Sequence, residues 1–229
     1  MSAIDDTQIT RSRTKLRWSA LLAGMPDAVT SAWCLMVWIN PLAMGTDAVK
    51  GVVLMMLMEF ILLNATGFFT AIPFMIDLSR NTRIAMLLGL CLIYLLLIAA
   101  FALPFHALWP FFAFGWLAFG KLVWVLRNRR VNDNDQMWLM GAWAFSVAAY
   151  LGAVGAGLTM HLPELGIVPA IVPSLHMPGG GEWMDTPHKA VAAGVFYFAA
   201  LALFKWLHAA LRKANPDNNR ISRIVSSTN

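Results

Sequence analysis

Charged residues are scarce in this 229-residue sequence, where Asp, Glu, Lys and Arg make up 13% of the chain. An average soluble domain carries about a quarter. So few charges, together with 59% apolar residues, exclude a disordered chain and a soluble nucleic-acid-binding module. The two cysteines, Cys34 and Cys91, both lie in apolar segments and form no C-x-x-C pair, which excludes a disulfide scaffold and dithiol redox chemistry.

Several catalytic and targeting signatures are also missing from the sequence. It has no G-x-x-x-x-G-K-[ST] loop for nucleotide phosphates and no H-E-x-x-H pair for zinc. Ser31 and Ser146, the serines within apolar runs, lack the G-x-S-x-G setting of a serine nucleophile. Asp5 and Asp6 precede the first basic stretch, and no cleavage site follows the first apolar run, so we expect that run to be retained.

Long apolar runs dominate what is present. A helix needs about 20 mostly apolar residues to cross the hydrocarbon of a bilayer. Six runs approach this length, and the first could begin earlier, at Trp18. They cover residues 28–45, 51–76, 84–105, 109–126, 137–162 and 190–211. The sequence therefore predicts an all-α polytopic membrane protein, a single domain of six transmembrane helices embedded in a lipid bilayer.

The distribution of Lys and Arg predicts the orientation of these helices. With the N-terminus inside, 15 of the 17 basic residues fall on the cytoplasmic side, which favours N-in and C-in by the positive-inside rule. The tails, 1–17 and 212–229, are then cytoplasmic, as in a bacterial inner membrane. Membrane insertion and anionic lipids explain the net charge of +5, and nucleic acid is not an expected partner.

The longest connection, residues 163–189, lies outside the membrane on this topology. Its five prolines and Gly179-Gly180-Gly181 disfavour regular structure, whereas residues 165–175 are apolar. We expect this connection either to lie in the membrane interface or to fold back over the helices as a lid. A structureless connection of this length is more often functional than not.

Histidines and acids concentrate on the same outer side. Imidazole and carboxylate are ligands for transition metals, so the set is a candidate metal or haem site at the outer face. The alternatives are ordinary interfacial histidines and a protonation switch, because no chelating spacing occurs. The candidate ligands are His106, His161, Glu164, His176, Glu182, Asp185 and His188.

Glu59 falls near the middle of the second run, where a charge costs about 2.5 to 3.5 kcal/mol unless it is paired or hydrated. Thr66 and Thr70 share its helix face, and together they are candidates for an ion or proton pathway. A structurally paired carboxylate is the alternative. Lys121 in the fourth run either pairs with Glu59 or extends toward the inner headgroups.

Asp27 completes the set of candidate pathway residues. Because it follows Pro26 at the start of the first run, it is predicted to cap the helix beginning at Ala28. If that span begins at Trp18 instead, Asp27 is a second buried acid beside a proline kink, and the pathway hypothesis gains support.

A stripe of small residues at four-residue spacing follows one face of the fifth run, and small residues allow helices to approach closely. We interpret the stripe as internal helix packing, with a homo-oligomer contact as the alternative. Its members are Ala144, Ala148, Gly152 and Ala156.

Three functions follow from these features. The first is an integral membrane transport or ion- and proton-handling protein that uses Glu59 and the outer histidine-acid cluster. The second is a non-catalytic subunit or assembly factor of a larger membrane complex. The third is a metal- or haem-dependent membrane enzyme.

Overall fold

The computed structural model describes residues 22–71, 79–127 and 133–214, and within these ranges the chain is helical with no strand. The long helices are α1 (Leu22–Ile39), α3 (Thr46–Ala71), α4 (Arg80–Ala102), α5 (Trp109–Arg127), α6 (Asp133–Thr159) and α8 (Pro187–Ala214). Two short helices, α2 (Pro41–Met44) and α7 (Glu182–Asp185), precede α3 and α8, and a 3-10 turn occupies Val172–Leu175.

Five of the helices, α1, α3, α4, α6 and α8, are long and apolar enough to cross a membrane. The predicted run 109–126 matches α5, but the apolar part found in its described residues, Trp109–Gly120, is shorter than a span. All-helical architecture is therefore confirmed, whereas the six-span count is not. The tail 1–17 and residues 215–229, from which orientation was partly predicted, lie outside the described residues.

The first predicted span, 28–45, has the wrong boundaries. Residue Leu22 is already helical, and α1 ends at Ile39. The helix stops there because the Asn40 carboxamide caps a new turn, accepting a hydrogen bond from the Ala43 N–H at 3.2 Å, while Pro41 occupies the first position of α2.

The residues divide by their contacts into two compact units, described separately below. In the larger unit, Cys34–Gly194, α3 supplies a buried row at helical spacing. Phe69 from this row meets Tyr94 of α4 and Phe114 of α5, with all three ring-centroid distances between 5.9 and 6.1 Å. The row consists of Leu54, Met58, Ile61, Ala65 and Phe69.

Helix α6 packs antiparallel on α3 in the same unit. The Tyr150 hydroxyl donates to the Met56 carbonyl at 2.8 Å, and the Trp143 indole donates to the Leu63 carbonyl at 2.9 Å. As the residue number rises along α3 it falls along α6, so the two helices run in opposite directions.

The connection between α6 and α7 folds back onto the larger unit, in agreement with the lid alternative. The Trp38 indole donates to the Pro163 carbonyl at 3.1 Å, and the Gly166 N–H donates to the Trp38 carbonyl at 3.0 Å. Ile167 and Leu175 are completely buried. The apolar middle of the connection therefore serves as core, which explains why a segment rich in Pro and Gly is ordered.

The smaller unit pairs the first part of α1, up to Trp33, with α8 from Val195 onward. Gly24 lies against the Trp206 indole, because a Cβ at Gly24 would come within 2.5 Å of the Trp206 Nε1. The Ser31 hydroxyl donates to the Val195 carbonyl at 2.9 Å. These contacts run in opposite senses along the two helices, so α1 and α8 are antiparallel.

Candidate functional site

An ion pair joins α1 and α8 within the smaller unit. The Lys205 ammonium donates to the Asp27 carboxylate with Nζ to Oδ2 at 2.6 Å. The Asp27 side chain is only 13% exposed, whereas that of Lys205 is 42% exposed. Both residues lie inside helices long enough to span a membrane. Asp27 is five residues after Leu22, where the described part of α1 starts, and Lys205 is six residues before Leu211, where the candidate span in α8 ends.

The residues around Asp27 alter the backbone hydrogen bonding of α1. Pro26 has no N–H, so it leaves the carbonyl one turn earlier in α1 without its helical donor. One turn later the Thr30 hydroxyl donates to the Pro26 carbonyl at 2.9 Å. The Asp27 side chain thus lies beside a proline-interrupted turn of a helix long and apolar enough to cross a membrane, a type of position where helices bend.

The predicted capping role of Asp27 is wrong, because α1 is already helical from Leu22 and Asp27 lies inside it. The alternative, a second buried acid beside Pro26, agrees with the structure. Lys205 was not among the predicted pathway residues. The 178-residue separation of the partners left no local signal.

Glu59 is the central residue of the candidate span Asp47–Ala71, with twelve residues on either side. Its place at the bilayer midplane stays a prediction. It is half-buried and close enough to the Tyr150 phenol of α6 for its charge to act on that group. The rings of Tyr150 and of Phe60, the residue after Glu59, pack against each other with their centroids 5.9 Å apart. A pairing with Lys121 is outside what the structure describes, because the Lys121 side chain is not among the described residues.

The predicted polar stripe on α3 is bonded within its own helix. The Thr66 hydroxyl donates to the Leu62 carbonyl and the Thr70 hydroxyl to the Thr66 carbonyl, each at 2.7 Å. Such bonds to the carbonyl four residues earlier are how hydroxyl side chains are accommodated in membrane helices. Membership of Thr66 and Thr70 in an ion pathway stays a prediction.

The predicted metal ligands do not assemble. Among the described residues, no group of three His, Cys, Asp or Glu side chains is arranged to hold a metal ion. His106, His161 and His176 are exposed, and the His176 ring is engaged by the Ser174 carbonyl at 2.8 Å from Nδ1. The histidines are separated because they belong to different turns of the chain. His106 and His176 each end a turn with a positive φ, 52° and 47° respectively.

Only part of the predicted cluster comes together. His188, at the start of α8, is buried, with 9% of its surface exposed. It is close enough to Glu164 and Glu182 for their charges to act on its imidazole. Asp185 is exposed on α7. This arrangement gives His188 two acidic neighbours but no third ligand, so the metal and haem hypothesis has no support in the described ranges.

Glu182 forms a clasp between α7 and α8 rather than a metal ligand. Its carboxylate accepts hydrogen bonds from Lys189 and from the Thr186 hydroxyl, the latter at 3.2 Å. The hydrogen bond from Lys189 holds the pKa of Glu182 below its ordinary value, and the charge of Lys189 acts in the same direction. The clasp fixes the turn from which α8 begins at Pro187.

The small-residue stripe of α6 does not pack internally as predicted. Ala144, Ala148 and Gly152 are exposed, and a Cβ added at Gly152 would contact nothing within 4 Å. The buried face of α6 is a different one, with Tyr150, Ala153 and Gly157. Ala156 lies between the two faces and is half-buried.

Comparisons with known proteins give no assignment: no family model, curated protein or solved structure matches the chain. The class of protein therefore follows from the helices themselves, which are consistent with a membrane-embedded, all-helical protein. Within that class, the feature with most chemical content is the Asp27–Lys205 ion pair.

Proposed function

We propose that this chain is an integral membrane protein that handles protons, with the Asp27–Lys205 pair as its proton-binding site and Glu59 as a second acid. The carrying observation is the ion pair itself, at 2.6 Å between two helices of membrane-spanning length. Ionisable groups inside membrane segments are costly, so they mark ion and proton paths by default.

The chemistry of the pair favours protons over metal cations. A carboxylate in contact with an ammonium offers an oxygen to which a proton can bind, and binding of that proton would break the ion pair and release the lysine. Metal cations such as Mg²⁺ or Ca²⁺ instead need several oxygen ligands around one point. Within the described part of the chain, the side chains that contact the opposite helix near Asp27 include the Lys205 ammonium and the Ser31 hydroxyl, which is bonded to a backbone carbonyl.

Six spans, with both termini on the cytoplasmic side, are part of the proposal. The antiparallel packing of α3 and α6 supports the count. Helix α4 crosses the membrane in the direction opposite to α3. For α6 also to run opposite to α3, the chain must cross once more between α4 and α6, and α5 is the helix that can do so. The antiparallel packing of α1 and α8 supports an even number of crossings. The charge distribution favours the bacterial inner membrane with N-in and C-in orientation.

Voltage-driven proton flux tests the proposal. The purified chain is reconstituted into liposomes containing a pH-sensitive dye, and a potassium diffusion potential of either sign is applied. We expect flux above that of empty liposomes, reduced at least about tenfold in Asp27→Asn and retained in part by Asp27→Glu. Glu59→Gln is expected to reduce the flux as well.

The matched control is Thr159→Val, which changes a hydroxyl of α6 that donates to the Gly155 carbonyl of its own helix at 2.8 Å. Its flux should equal that of the unmodified protein. Absence of flux in the unmodified protein, or equal flux in Asp27→Asn, would contradict the proposal. Thermal unfolding of each variant separates lost chemistry from lost fold.

One observation favours a second function, that of a subunit in a larger membrane complex or a homo-oligomer. The face of α6 carrying Ala144, Ala148 and Gly152 is exposed within the chain, and such faces pair helices in membranes. Replacing Ala148 with Phe should then release a partner or reduce the oligomeric mass in mild detergent, while leaving proton flux per chain unchanged.

A further inference from the structure

A groove of about 430 Å³ lies between the end of α3 and the beginning of α6, within the larger unit. This volume falls in the range of sites that hold small organic molecules, about 300 to 1,000 Å³. Both helices are long and apolar enough to cross a membrane, so the groove is reached from the bilayer. None of the described residues that line it is charged.

The wall of the groove is fixed before any ligand binds. The Trp143 indole is held by its hydrogen bond to the Leu63 carbonyl at 2.9 Å. Its ring lies against Gly67, where an added Cβ would come within 2.7 Å of the ring. Glycine at this position therefore leaves room for the indole ring. A wall that is already in place lowers the entropy cost of ordering side chains when a ligand binds.

Asn64, Thr66 and Thr70 are the polar side chains of α3 in the wall, and the first two determine what a ligand must offer. The Asn64 amide nitrogen donates to the Phe60 carbonyl at 2.8 Å, and the Thr66 hydroxyl donates to the Leu62 carbonyl at 2.7 Å. With these donors directed at their own helix, the side-chain oxygens of Asn64 and Thr66 can act as acceptors. A ligand that matches them carries a hydroxyl or amine hydrogen.

We infer that this groove binds a neutral, lipid-soluble molecule with an apolar body and at least one hydroxyl donor. Neutrality follows from the lining, because an unpaired ligand charge would be desolvated there without a counter-charge. The apolar body follows from Phe68, Leu139, Met140 and the Trp143 ring. The inference does not depend on the Asp27–Lys205 pair and goes beyond the proposed function.

Photolabelling in nanodiscs tests the site directly. The probe is a long-chain primary alcohol carrying a diazirine, with unlabelled alcohol, alkane and fatty acid of equal chain length as competitors. We expect crosslinks on Phe68, Leu139 or Met140, displaced by the alcohol at concentrations about threefold to tenfold lower than by the alkane, as one hydrogen bond provides.

Variants connect that preference to the two acceptors. Thr66→Val and Asn64→Leu remove an acceptor with little change in volume, and should reduce the advantage of alcohol over alkane. Thr159→Val, a hydroxyl of the same kind on α6 away from the groove, should leave it unchanged. Ala71→Trp, which fills the groove from an exposed position, should abolish labelling there.

Equal competition by alcohol and alkane would overturn the inference, since the groove would then hold only an ordinary lipid chain. Stronger competition by the fatty acid would contradict the neutrality of the ligand. Crosslinks spread over all lipid-facing helices, without enrichment at the groove, would also overturn it. Proton flux measured on Asn64→Leu and Ala71→Trp should be unchanged, so failure of this site is distinguishable from failure of the proposed function.

Discussion

Replacing Gly166 with Ala should destabilise the protein, because the long connection approaches α1 and α2 more closely than a side chain permits. A Cβ at Gly166 would lie 2.5 Å from the Pro41 Cδ and 2.9 Å from the Ile39 carbonyl carbon. Both neighbours are backbone or ring atoms that cannot rotate away. Gly166 also donates its N–H to the Trp38 carbonyl at 3.0 Å, a bond that the displaced chain would lose.

The magnitude follows from these two effects. Overpacking a well-filled site costs about 1 to 3 kcal/mol, and the lost hydrogen bond costs about 0.5 to 1.5 kcal/mol. Gly166→Ala should therefore lower the free energy of unfolding by about 2 to 4 kcal/mol. For a chain of this size that is a decrease of at least about 5 °C in the unfolding midpoint.

The assay is thermal unfolding in mild detergent, followed by tryptophan fluorescence and circular dichroism. Gly180→Ala is the matched control, because it lies in the same connection and a Cβ there would meet nothing within 4 Å. Its midpoint should stay the same or rise slightly. Equal midpoints for the two variants would refute the close seating of the connection on the helices.

Two further predictions concern stability. Tyr150→Phe removes the buried hydrogen bond to the Met56 carbonyl and should cost about 0.5 to 1.5 kcal/mol, measured by the same unfolding assay; an unchanged midpoint would contradict the α3–α6 contact. Because the pKa of Glu182 is lowered by Lys189, its clasp contributes stability above the ordinary glutamate pKa of about 4.3 and loses it as pH falls through the lowered value. The midpoint difference between the unmodified protein and Glu182→Gln should therefore be present at pH 7 and vanish in acid, and a difference that grows in acid would contradict it.

Most of the helices could be predicted from sequence because long apolar runs leave few alternatives to membrane helices. The predicted runs 84–105, 137–162 and 190–211 differ from α4, α6 and α8 by three or four residues at each end. The first run failed because Pro26-Asp27 is typical of a helix start. Inside α1, the same residues serve a tertiary ion pair that no local pattern indicates.

The candidate site was predictable only in part, for the same physical reason. Glu59 and Asp27 stand out because a carboxylate is costly in an apolar run. Their partners depend on which helices meet, and Lys205 approaches Asp27 only through the antiparallel packing of α1 on α8. The histidines show the reverse case. They were predicted to lie on the same side of the membrane, but the structure places them on separate turns, and no three His, Cys, Asp or Glu side chains of the described residues come together.

The central claim, that the Asp27–Lys205 pair carries the chemistry as well as joining two helices, is tested most directly with a neutral pair. The double variant Asp27→Asn/Lys205→Gln offers amide groups that can hydrogen-bond between α1 and α8, but it has neither the carboxylate nor the ammonium. We predict an unfolding midpoint close to that of the unmodified protein and proton flux no greater than that of empty liposomes. Unchanged flux in this folded double variant would contradict the account.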